Sequence, residues 1–259
     1  YEYGRMHVMD STQDMLAFDS MASAGGSSST FQVRKDFVPS VSTQVSDKVL
    51  DAASPVFDDV TSGVGDEGSH WVPGLKLQAR GYYFDGLGKD DLGKVIAPNA
   101  RESADAFLAR LASSGYEPSA YGKASFTSVG QRVRVRAMAK PDGDAAYLTP
   151  KTGGFGTWVW VFRRSEQSKR AQEYLTGDWV SPFMEASESN VGRGKVEVMS
   201  TVTEHSADIG AELSDTITVS GFPADHGRFM GDETYGFAAD QPYATVSVWW
   251  SGDPDNPSN

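Results

Sequence analysis

Residues able to carry chemistry are few in this chain. Its four histidines are His7, His70, His205 and His226. No two stand in an H-E-x-x-H motif or at i, i+4, the spacing that turns two imidazoles toward one zinc ion. His70 and His226 lie in Gly/Asp-rich loops and read as solvated side chains. The oxygen-rich runs Asp142-Gly143-Asp144 and Asp253-Pro254-Asp255-Asn256 lack the 12-residue loop closed by Glu that an EF-hand needs, so plain turns are expected, with calcium at a linker as the secondary reading. No G-x-S-x-G or S-x-x-K site occurs in suitable context, and Gly153-Gly154-Phe155-Gly156 lacks the spacing of a phosphate-binding loop. With 35 Asp and Glu, carboxylate pairs arise by accident, and no spacing singles out a pair for glycoside hydrolysis. The chain has no Cys, which removes thiolate nucleophiles, thiolate metal sites and disulfides. Tyr82-Tyr83 and Trp249-Trp250 could stack on sugars, but strand alternation turns one of each pair into a core. The expectation is therefore no enzyme acting on a separate substrate, no cofactor and no metal site.

The balance of the chain points the same way. A net charge of −12 and a pI near 4.7 disfavour nucleic acid and anionic membrane, which require a basic face. No run of 18 apolar residues is present, so no membrane insertion of a helix is expected. An apolar fraction of 39% and an aromatic fraction of 11% suffice for a real core. The chain opens on Tyr1, and together with the repeat described next this suggests a window on a longer protein.

The elements that must position any site are mostly strands. Val41–Asp85 reads as three alternating strands, and Ser42-Thr43 and Ser62-Gly63 recur as Ser200-Thr201 and Ser220-Gly221 at one offset (42 to 200, 62 to 220). Paired aromatics follow each copy, so a tandem array of similar β domains is expected. Arg132–Met138 alternates Arg outward and Val inward, and in Gly156–Phe162 the residues Trp158, Trp160 and Phe162 share one face as the expected core anchors. Asn99 as N-cap, Glu102 three residues later and an apolar stripe of Ala104, Phe107, Leu108 and Leu111 predict a helix over 99–115, ended by Gly115. A second, short helix is expected at 166–175 behind Ser165. Glu185–Arg193 is polar and reads as a linker. The expected division is residues 1–34 as the tail of a preceding domain or a linker, 35–192 as a β domain with a helical insertion, and 193–259 as a second, similar but incomplete one.

The Ser-Thr opening, the strand Asp215–Gly221 and the repetition resemble the Ig-like stalk domains of Gram-positive surface adhesins, including those with autocatalytic isopeptide or ester cross-links. The run Gly153–Pro182 is similar to segments of large actinobacterial wall-anchored proteins. This resemblance implies a mainly β fold of tandem Ig-like β-sandwich domains with a short helical insertion. It also implies a structural stalk or adhesion role outside the cell, with wall anchoring through parts of the protein beyond this chain. The partners it implies are neighbouring domains of the same chain, with a host surface protein or glycan beyond them. A carbohydrate- or protein-binding β-sandwich module is the alternative. For an ester, Thr43 and Thr201 match the attacking Thr by position and Gln167 is the nearest acyl partner, although the family's H-x-D-x-x-D-x-x-Q tail is absent. For an isopeptide, Lys35 or Lys195 would be the amine and Asn190 the amide. Either bond needs a desolvated nucleophile and a carboxyl proton shuttle.

Overall fold

The computed structural model describes residues 5–8, 15–19, 28–32, 37–65, 69–204, 206–222, 228–241, 245 and 247. The chain divides into two compact units, Tyr1–Lys195 and Val196–Asn259. Expected features at Lys35, His205, His226, Trp249-Trp250 and Asp253–Asn256 lie outside the described residues.

The protein is mainly β. In the first unit, β1 (Arg5–Val8), β2 (Met15–Asp19) and β3 (Ser28–Gln32) form an antiparallel sheet in that order. Two further sheets enclose the main core. The smaller has β4 (Pro39–Val45), β6 (Phe57–Val64) and β9 (Arg132–Arg136) in the order β4-β6-β9. The larger has the order β5-β12-β10-β7-β8, from β5 (Val49–Leu50), β7 (Leu77–Leu87), β8 (Ala120–Phe126), β10 (Gly154–Phe162) and β12 (Ser189–Gly192), with β11 (Trp179–Val180) beside β10. Val45, Val60 and Val135 of the smaller sheet meet Leu77, Ala79, Phe126, Trp158, Trp160 and Phe162 of the larger in one apolar cluster, the arrangement of a β-sandwich. Trp158, Trp160 and Phe162 lie in its centre, at no more than 1% exposure.

β10 is buried on both faces, which its sequence explains. Trp158, Trp160 and Phe162 face the sandwich, and Val159 and Val161 face the other way. On that other side, α1 (Ala104–Ser113) buries Ala104, Phe107 and Leu111, and Phe183 meets Phe84 edge-on at 5.3 Å. The helix begins four residues later than the capping pattern predicts, its cap at Ser103 rather than Asn99. Asn99 N–H does donate to Glu102, at 2.7 Å, but Arg101 takes a positive φ of 61° and breaks the turn there. Ser103 is the actual cap, its Oγ accepting from Ala106 N. The second helix is likewise shorter: α2 is Lys169–Gln172, capped by Ser168.

Glu185–Arg193 is not a linker. Its residues form a helical turn at Ala186–Glu188 and then β12, which pairs with β10 and β5 inside the sandwich. Its short polar side chains are buried through hydrogen bonds, a possibility that local hydropathy does not show.

The second unit contains the hairpin β13 (Glu197–Val202) and β14 (Asp215–Ser220). It shares a hairpin with the first copy but not its register. Ser42 pairs with Thr61, whereas Ser200 pairs with Ile217, two residues short of the equivalent 219. Ser62-Gly63 lies inside β6 with Ser62 buried, while Ser220 ends an exposed strand before Gly221 at φ 88°. The four matching residues therefore do not occupy equivalent places.

Candidate functional site

The middle strand of the smaller sheet carries the feature that composes the site. β6 turns Asp58, Val60 and Ser62 toward the core by period 2, and Asp58 is fully buried there. Asp58 pairs in register with Val45 on one side and Val135 on the other, both buried. Its Oδ2 accepts from Trp160 Nε1 at 2.7 Å. A bare carboxylate among valines and tryptophans loses its hydration, so burial pushes Asp58 up to about 7, against the opposing pull of the indole N–H.

A second carboxyl joins it. The turn Ala186–Glu188 packs on β4 and delivers Glu188, 2% exposed, to the side chain of Asp58. Burial first and the charge of Asp58 second hold Glu188 well above the usual carboxylate range. One oxygen on each, Asp58 Oδ1 and Glu188 Oε2, has no conventional hydrogen-bond partner among the described residues. A single proton shared between the two carboxyls serves both oxygens and avoids two adjacent buried charges.

Lys48 and Asn190 complete the group. β5 and β12 run parallel, with Val49 opposite Val191 and Leu50 opposite Gly192, and Val191 N donates to Lys48 O at 2.9 Å. Lys48 itself lies in the bend before β5, and through that bond its backbone sits beside the residue that follows Asn190. Lys48 Nζ donates to the carbonyl of Ser189 at 2.9 Å and to that of Ala186. Desolvation lowers its pKa below the ordinary lysine value, while Glu188 pulls the other way.

Asn190 is 1% exposed and its amide is held from one end only. Tyr83 donates its hydroxyl to Oδ1 at 2.8 Å, and Nδ2 has no partner among the described residues. That bond depends on Gly156, opposite Asn190 on β10: a Cβ there would sit 1.9 Å from the Tyr83 hydroxyl oxygen. Burial, with the charge of Asp85 behind it, keeps the phenol protonated far above its usual range. Tyr83 is thus a fixed donor aimed at an amide oxygen.

The other expected site residues fall elsewhere or in different roles. Thr43 lies on β4 opposite Val60, and its buried Oγ1 has no hydrogen-bond partner among the described residues. Gln167 does not reach toward it. Its side-chain amide copies a strand edge, accepting from Gln78 N and donating to Gln78 O, each at 2.9 Å, and donating also to Arg163 O. Thr201 is exposed on β13 opposite Thr216. Lys195 N donates to Lys151 O at the end of the first unit. No cluster of His, Asp and Glu suited to a metal occurs among the described residues. Sequence reasoning missed Lys48, Asp58 and Glu188. For Asp58 a signal existed: a carboxylate at an inward position between Val56 and Val60.

Comparison with protein-family models, curated proteins and solved structures returns no match for this chain.

Proposed function

We propose that the first unit is a structural module of an extracellular stalk or adhesin, Ig-like in character, closed by an amide bond between Lys48 and Asn190. The observation that carries the reading is that Lys48 Nζ donates to the carbonyl of Ser189, the residue joined to Asn190, near the buried carboxyls Asp58 and Glu188. The ester alternative has less support, because Gln167 spends its amide on the β7 backbone.

The chemistry follows from the roles these groups can take. Desolvation favours the neutral amine of Lys48, whose proton passes to the carboxyl pair. Nζ attacks Asn190 Cγ. Negative charge grows on Oδ1, where the Tyr83 hydroxyl already donates, as an oxyanion-hole donor would. As the bond forms Nζ gives up a second proton; by way of the carboxyl pair one proton reaches Nδ2, the Cγ–Nδ2 bond breaks and ammonia leaves, while the other proton stays on the pair. One N–C bond forms and one breaks, with no redox change.

The mechanical benefit explains why a Cys-free module would carry such a bond. β4 and β5 open the sandwich and β12 closes it, so the link carries force past the fold. It also closes a loop of roughly 140 residues, which by the disulfide analogy stabilises by on the order of 5 kcal/mol. Intact mass tests the reading: the bond lowers it by about 17 Da, the mass of ammonia displaced from an amide. Lys48→Ala or Asn190→Ala should restore the unmodified mass.

A further inference from the structure

The chain is strongly acidic, yet one concave surface reverses that balance. A groove of about 450 Å³ opens where the chain after β9 crosses to β8, at the bridge between Met138 and Tyr121. Five cations line it, Arg80, Lys123, Arg134, Arg136 and Lys140, against the single carboxylate of Asp142. The fold puts them there for definite reasons. β9 buries Val135 and so turns Arg134 and Arg136 outward. The turn after Lys140 holds Asp142 at a positive φ of 53°.

Asp142 satisfies only part of this charge. It bridges Arg80 at 3.0 Å and Lys123 at 3.1 Å, and Arg80 has Glu166 at 2.7 Å besides. Arg134 stacks over Phe57 at 4.7 Å and has Asp47 only at 3.9 Å. Arg136 lies 5.9 Å from the same ring. Among the described residues no carboxylate pairs with Arg136 or Lys140. Cations gathered in one hollow repel each other, and an anionic ligand relieves that repulsion.

From this groove we infer a binding site for an acidic sugar, a pyranose bearing carboxylate or sulfate. Arg134, Arg136 and Lys140 take the anionic group, and Tyr121, half-buried in the wall and edge-on to Tyr82 at 5.9 Å, takes a ring face. Guanidinium forks match planar and tetrahedral oxyanions bidentately, and an aromatic wall adds apolar contact that a bare inorganic anion cannot use. The volume falls in the range of small-ligand sites. None of Lys48, Asp58, Glu188 or Asn190 lines the groove, so the site does not depend on the cross-link.

Calorimetric titration of the full chain at low salt tests this with a sulfated, uronate-containing disaccharide, with lactose as the neutral probe and inorganic sulfate as the bare anion. The expected result is saturable binding of the acidic disaccharide, at least about tenfold tighter than lactose or sulfate, and about tenfold weaker in Arg136→Glu and in Lys140→Glu. Lys140→Glu sits on an exposed turn and carries the test if Arg136→Glu fails to fold, as circular dichroism will report. The inference is overturned by no saturation at about 10 mM disaccharide, which corresponds to negligible affinity. Equal affinity for lactose, equal affinity for sulfate, or undiminished binding in the folded variants would overturn it too.

Discussion

Gly156→Ala is the smallest change that tests the site and the packing together. The added methyl would lie 1.9 Å from the Tyr83 hydroxyl oxygen, 2.4 Å from its Cζ and 2.8 Å from Asn190 Oδ1. Such separations cannot be occupied, so Tyr83 must move. The ring has little room: it is 1% exposed, tilted on Trp158 at 5.2 Å and edge-on to Tyr147 at 5.9 Å. Overpacking a core costs typically 1–3 kcal/mol, and withdrawing the hydroxyl leaves a buried amide oxygen unpaired for roughly another 1–3 kcal/mol. The expected loss is therefore about 2–6 kcal/mol, read as a lower urea midpoint at unchanged m-value. The same variant should slow ammonia loss, because the donor to Oδ1 is displaced. Tyr83→Phe separates the two effects: it removes the hydroxyl without added bulk, so it should cost less stability while still slowing the reaction. A Gly156→Ala protein within about 0.5 kcal/mol of the parent would refute the packing argument.

Three further outcomes are expected. Trp160→Ala empties the centre of the sandwich and strips Asp58 Oδ2 of its donor, so it should cost on the order of 3–5 kcal/mol and lower Tm by roughly 10 °C or more in a thermal melt; a shift of a degree or two would contradict it. Gln167→Ala removes three hydrogen bonds to the backbone of Gln78 and Arg163 and leaves the first two of those groups short of partners, at about 2–4 kcal/mol by the same denaturation assay. For pH, Asp58 holds its proton to about 7 in the folded state against an ordinary 3.8. The native protein then binds the proton that the unfolded chain releases, so stability falls as pH rises from about 4 to about 7, by up to a few kcal/mol. Glu188, Asp85 and Glu185, also raised by burial, act with the same sign, so Asp58→Asn should reduce that slope in urea midpoints measured across the window, and an unchanged slope would remove Asp58 as a source. Asp91, Glu102 and Asp142, lowered by their partners, act with the opposite sign and only below the ordinary carboxylate range.

Periodicity made much of the fold legible. The alternation of Arg132–Arg136 and the aromatic face of Trp158, Trp160 and Phe162 are local properties, and a strand with both faces covered keeps them. The apolar stripe of α1 was equally readable, although its start moved from Asn99 to Ser103, where Ser103 supplies the cap and Arg101 breaks the preceding turn. The site was far less legible. Asn190 could be named only through family resemblance, and its neighbours could not, because a parallel ladder brings Lys48 to the adjoining Ser189 and Val191 from far away in the chain. Glu188 and Ser189 look like solvent-facing residues of a linker until the partners that bury them are known: Asp58 for the first, Thr157 and Glu185 for the second. The matching Ser-Thr and Ser-Gly pairs misled for the converse reason, since identical short motifs carried no register with them.

The central claim is a bond between Lys48 and Asn190, and intact mass measures it without any assumption about partners. The account predicts a deficit of about 17 Da, the ammonia expelled by amide displacement. The deficit should persist in Thr43→Ala, vanish in Lys48→Ala and in Asn190→Ala, and diminish in Glu188→Gln. Fragmentation should place it on a peptide joining the segments around Lys48 and Asn190. A freshly purified protein whose mass equals that of the unmodified sequence, or a deficit that survives Lys48→Ala, would contradict the claim.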